Sequence, residues 1–160
     1  MTYDVPKLNF PGKLPQIKKV GYQLKLWDPT RKKWLNYTPE EWVRQSTVLY
    51  MRDYLNYPFH WMQVEKEISL YNTTKRIDVL IHNASLKPWI LIECKAPSVA
   101  MQEKVIDQAV KYNLSIHAPY LFITNGMEHR ALSKFTDSYR FIDRLPNREE
   151  SRTNTNELDT

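Results

Sequence analysis

Glu93 and Lys95 stand one residue apart at the end of the apolar run Trp89 to Ile92, in the stretch WILIECKAP. In an extended strand alternate side chains share a face, so Leu91, Glu93 and Lys95 point one way and Ile90, Ile92 and Cys94 the other. KRIDVLI, residues 75 to 81, repeats the form: Arg76, Asp78 and Leu80 on one face, Ile77, Val79 and Ile81 on the other. If the two strands are neighbours, Asp78 and Glu93 converge near one end of a sheet. Two carboxylates held together repel, and burial sharpens the conflict. A divalent cation relieves it, and Mg²⁺ (or Mn²⁺) takes one or two carboxylates plus waters and phosphate oxygens. With Lys95 beside the same centre, the set suits metal-assisted phosphodiester hydrolysis. The alternative is a cross-strand ion pair at a sheet edge, although an unmetallated pair at the end of so apolar a strand stabilises poorly.

The elements that must hold these groups can be read around them. From Tyr22, QLKLWDPTRKKWLNY alternates and turns at Asp28-Pro29, which predicts a hairpin. Thr38, Pro39 and Glu41 form a helix start, with Thr at the N-cap, Pro at the first position and Glu closing a capping box, and the helix runs to about Leu55. Three strands follow at about 61 to 70, 75 to 82 and 88 to 95, then a helix from an N-cap at Ser98 through Tyr112. APYLFITNG, 118 to 126, reads as a strand buried on both faces. A weaker element follows around Tyr139 to Leu145. Three meandering strands and a helical crossover to another strand imply an α/β fold with a mixed central β-sheet flanked by helices. The expected organisation is a basic arm and hairpin over 1–37, a core domain over 38–146 and a disordered polar tail over 147–160.

The chain has 160 residues and a net charge of +5. Residues 1–37 hold eight Lys/Arg against two Asp, so the excess positive charge is N-terminal. Such an arm attracts nucleic acid phosphates, with Arg31, Lys32 and Lys33 as the densest cluster, and equally suits a solvated segment. Arg44 and Arg76 are further candidate DNA contacts. One cysteine excludes an internal disulfide and suits a reducing compartment. No apolar run approaches a membrane span and no signal peptide opens the chain, so a cytoplasmic protein without membrane contact is expected.

Asp78, a 14-residue gap and Glu93-Cys94-Lys95 resemble the PD-(D/E)XK nuclease superfamily core. Gln108 and Tyr112, at i and i+4 on the next helix, match the Q-x-x-x-Y motif of its RecB-like branch. TPEEWVRQ (38–45), KRIDVLI, LIECKAP (91–97), the Gln108/Tyr112 helix and LFITNG (121–126) are together similar to the N-terminal nuclease domain of type I restriction enzyme R subunits. The resemblance implies a restriction-endonuclease-like core and a bacterial Mg²⁺-dependent DNA endonuclease linked to restriction or repair. Asp78 and Glu93 would bind metal, joined by the Cys94 backbone carbonyl; Lys95 would stabilise the attack, and Gln108 and Tyr112 would support the site. Ile77 stands where the superfamily name has Pro, a variation the family tolerates. The sequence contains no P-loop GxxxxGK[ST], so this chain lacks the motor motif of type I R subunits.

DNA and other restriction or repair subunits are the expected partners, and a homodimer would suit double-strand cleavage. A catalytically silent DNA-binding or scaffolding protein of the same fold is the alternative function. Glu41 could add a metal ligand but reads first as the capping-box residue, and Glu40 reads as solvated. Cys94 reads as a small core hydrophobe, and His60, His82, His117 and His129 lack metal-ligand spacing.

Overall fold

The computed structural model describes residues 2–153. Strands β1 (Ile17–Val20), β2 (Gln23–Asp28) and β3 (Lys33–Asn36) form a small antiparallel sheet, and helix α1 (Pro39–Asp53) follows. After a short 3₁₀ turn at Phe59–Trp61 come β4 (Met62–Leu70), β5 (Thr73–His82), β6 (Pro88–Cys94), helix α2 (Glu103–Ile116), β7 (Tyr120–Thr124), β8 (His129–Phe135), β9 (Ser138–Ile142) and helix α3 (Arg148–Thr153). The second sheet has six strands in chain order, β4 to β9. Only β6 and β7 pair in parallel, joined through α2; every other neighbour is antiparallel. This is the mixed, helix-flanked sheet that the sequence predicts.

The apolar run of β6 lies at the centre because helices cover both faces. On one face Val79, Ile81, Ile90, Ile92 and Cys94 pack with Trp42, Val43, Val48 and Met51 of α1. On the other, Leu80, Leu91, Leu121 and Ile123 pack with Val105, Ala109 and Ile116 of α2. The Thr38 hydroxyl accepts from the Glu41 N–H, as a helix N-cap should, at 3.0 Å. The second helix begins later than expected: Ser98 is in the connecting loop, and Gln102 holds the N-cap position without a side-chain cap bond.

Three further elements depart from expectation. The pairs Ile17/Leu26 and Val20/Gln23 extend the hairpin into a third strand within the basic arm. β8 and β9 form an edge hairpin in place of a single weak element; its one-sided burial dilutes the apolar signal. Residues 148–153 are helical rather than disordered. There the Asn147 side chain accepts from the Glu150 N–H at 3.0 Å, and Glu150 reaches back to the Asn147 N–H at 3.1 Å. That reciprocal cap outweighs the polar composition. The rest of the expected tail, 154–160, lies outside the described residues.

The N-terminal segment is packed along the core. Asn9 donates its backbone N–H to Gly126 O at 2.7 Å, and the Trp42 indole donates to Pro6 O at 2.9 Å. Gly126 has φ +85°, and a Cβ there would stand 2.8 Å from Leu8 Cδ2. Gly126→Ala is therefore expected to cost about 1–3 kcal/mol from combined backbone strain and overpacking, read as a lower Tm.

Candidate active site

Asp78 and Glu93 meet where the sheet ladder ends. β5 and β6 pair Leu80 with Leu91 and Val79 with Ile92, so one further step sets Asp78 opposite Glu93. At that step Asp78 Oδ2 instead accepts the Cys94 N–H at 2.7 Å. The β4–β5 ladder also skips this place: Val64 pairs with Val79 and Lys66 with Ile77, and Glu65 between them has φ +53°. The face alternation breaks here too. Ile77 joins the α2-side cluster with Leu80, whereas Val79 and Ile81 face α1, so these three do not share the face expected of them. The irregularity frees Asp78 from regular strand geometry and lets it reach both α1 and β6.

Arg44 enters this space from α1. It donates to Asp78 Oδ1 from Nη2 at 2.6 Å and from Nε at 3.2 Å. It also contacts the Glu41 carboxylate, with Glu40 and Glu65 each at 3.4 Å. Burial alone would lower its pKa, but Asp78 and Glu41 overcome this and hold it raised. Glu41 Oε1 accepts from Gln45 at 2.8 Å. Arg31 adds a second cation to the rim, 2.5 Å from Asp28 and 2.8 Å from Glu65.

Glu93 is left out of this exchange. It is 4% exposed, and its Oε1 has no hydrogen-bond partner. Burial first, then the charge of Asp78, pushes its carboxyl up to about 9 against the opposing pull of Lys95. Glu40 is also raised, by burial and by Asp78, while Arg44 and Lys95 act in the opposite direction. Among the described residues no three His, Cys, Asp or Glu side chains form a ready-made metal cage. Asp78 with the partnerless Glu93 oxygen still fits a cation that draws only two carboxylates from protein and fills its shell with water and phosphate.

Lys95 and Glu40 open into a groove of about 820 Å³ that continues along α2 to the β4–β5 turn. Gln108 and Tyr112 line it and bond to each other, Gln108 Nε2 to Tyr112 Oη at 2.8 Å. The structure thus brings Asp78, Glu93 and Lys95 together and sets Gln108 and Tyr112 along the adjoining groove. Cys94 is buried, its Sγ 3.9 Å from Thr47 Oγ1 and its thiol pushed up by burial.

The residue pattern of the type I restriction enzyme R protein N terminus (HSDR_N) matches residues 39–146. The chain belongs to this family. Among solved structures, a fragment assigned to an HsdR subunit of a type I restriction enzyme from Vibrio vulnificus YJ016 aligns at 20% identity and a TM-score of 0.42. That alignment covers 59% of this chain and 18% of the other. No curated protein matches.

The R-protein match begins at α1 and closes after β9, so the arm and the β1–β3 sheet lie outside it. This bears on the expected DNA contacts. Arg44 is 6% exposed and committed to carboxylates, so it is not a surface contact. Arg31 is likewise largely engaged by Asp28 and Glu65. Lys32 and Lys33 are exposed, and Arg76 is exposed with Glu67 at 3.4 Å. Glu41 is held by Arg44 and Gln45 rather than by the full capping box, and Glu40, about half exposed as expected of a solvated residue, lines the groove. The sequence reading also misses Lys75, Lys104 and Lys111 in the groove. The signal for two of them was present: Lys104, Gln108 and Lys111 follow i, i+4, i+7 spacing, one helix face with the Q-x-x-x-Y pair. No described helix is long and apolar enough to cross a membrane.

Proposed function

We propose that this domain is a metal-dependent deoxyribonuclease acting in restriction alongside other subunits that supply DNA translocation. The observation that carries the reading is the buried, partnerless Glu93 oxygen beside Asp78, at the end of a groove that Lys95 enters. Mg²⁺ or Mn²⁺ bound there would supply a water of lowered pKa and a Lewis acid for the phosphate. Asp78 is held by Arg44 through Oδ1 and by the Cys94 N–H through Oδ2, so its carboxylate is oriented before any ligand arrives. Lys95 presents its ammonium to a phosphate in the groove and offsets charge growing on the non-bridging oxygens. Gln108 and Tyr112, locked to each other, shape the wall on which the strand would lie.

A second reading, a silent DNA-binding module, has its own support: the Arg44 guanidinium already occupies Asp78 and Glu41 as an ion-pair partner. Cleavage of plasmid DNA in Mg²⁺ or Mn²⁺ separates the two. Lys95→Ala is expected to cut about 10²–10³-fold more slowly than the parent, the range for losing one charge-stabilising donor. Equal rates would remove Lys95 from the mechanism, and absence of cutting by the parent would favour the silent module.

A further inference from the structure

The groove beside the carboxylates ends at a side chain that the nuclease reading does not use. β4 and β5 are joined by Tyr71 and Asn72, between the paired residues Leu70 and Thr73, and both turn residues have positive φ, +50° and +60°. Such two-residue turns favour Asn and Gly, so Asn72 is suited to its place and a bulky Tyr is not. Tyr71 is nonetheless there, 74% exposed, on the groove lining and without an aromatic neighbour among the described residues. Along the same lining, Lys75, Lys104 and Lys111 are exposed and form no ion pair among the described residues, and Lys95 closes the far end.

We infer that this groove is a track for an unpaired DNA strand, with the lysines following its phosphates and Tyr71 stacking on one of its bases. The direction of the track, toward Lys95, rests on the nuclease reading; the binding itself does not. Basic grooves with exposed rings hold single strands because every unpaired base offers a free π-face and every phosphate a charge. A closed duplex offers phosphates but keeps its base faces stacked inside, so it would use the lysines and leave Tyr71 idle. A strained, solvent-facing ring at a hairpin tip is the arrangement that the single strand explains. Backbone conformations of this kind persist at ligand sites.

The test is fluorescence anisotropy of the full chain with a labelled single-stranded oligonucleotide and with its duplex, in EDTA so that no cutting intervenes. Tyr71→Phe should bind the single strand as the parent does. Tyr71→Gly suits the positive φ and preserves the turn; it should lose about five- to a hundredfold on the single strand and less than twofold on the duplex. Lys104→Glu with Lys111→Glu should weaken both substrates and flatten the dependence of log K on log salt. Single-strand affinity unchanged within twofold in Tyr71→Gly, or an equal loss on duplex, overturns the inference. The nuclease reading fails separately: single-strand binding that depends on Tyr71, in a chain that never cuts with Mg²⁺ or Mn²⁺, supports the track and removes the catalyst.

Discussion

Arg44→Met is expected to lower the stability of the metal-free protein by about 3–5 kcal/mol, the usual cost of removing one partner from a buried ion pair. At this chain length each kcal/mol moves Tm by about 2–4 °C, so the loss should approach 10 °C or more. The guanidinium is the shared counter-ion of Asp78, Glu41, Glu40 and Glu65, and Met replaces its volume without its charge. The carboxylates then repel, most strongly Asp78 and Glu41, which are buried. A divalent cation supplies the missing charge, so Mn²⁺ should raise the Tm of Arg44→Met more than that of the parent. Arg44→Lys should fall between them, because an ammonium keeps the charge but cannot fork toward Asp78 and Glu41 together. A Tm change of less than about 2 °C in Arg44→Met would show that Arg31 alone suffices for the cluster.

That role for Arg44 marks the boundary of what the sequence discloses. Asp78, Glu93 and Lys95 were legible because strand alternation and spacing both act on them, and because a charge at the tip of an apolar strand demands a reason. The mixed character of the sheet followed from the three meandering strands and the helical crossover. Arg44 was not legible, because helix periodicity predicts one buried stripe and α1 is buried without interruption from Glu41 to Val48. The cause is tertiary: α1 packs on the six-stranded sheet and also meets β2 of the small sheet. Glu65 was invisible for a related reason. Its importance comes from a positive φ at a skipped ladder position, which no pattern of residue types announces. The Asn147–Glu150 cap, by contrast, is written in the residues, and only the polar composition around it speaks against a helix.

Glu93→Gln is expected to stabilise the metal-free protein increasingly as pH rises, the reverse of the usual result of removing a carboxylate. Burial and the charge of Asp78 push the folded carboxyl up to about 9, well above the ordinary value of 4.5 that it takes in the unfolded chain. A group raised on folding contributes its full stability below the unfolded value and loses it as pH climbs through the folded one. Between the two values the native state keeps a proton that the unfolded chain releases, so stability falls by up to about 1.4 kcal/mol per pH unit. The penalty is small at pH 5 and grows through pH 7 as the unfolded carboxyl ionises fully and the folded one stays protonated. Gln cannot ionise, so the pH dependence of the difference in Tm between variant and parent reports this carboxyl together with the Asp78 charge coupled to it. The gap should be small at pH 5 and wider, in favour of Gln, at pH 7. Added Mn²⁺ should reverse the order at pH 7, because the parent then gains a partner for both Asp78 and the Glu93 oxygen while the variant offers a neutral amide. A gap that stays constant from pH 5 to 8 would mean that Glu93 is solvated enough to ionise normally. Its buried oxygen would then no longer be evidence of a cation site.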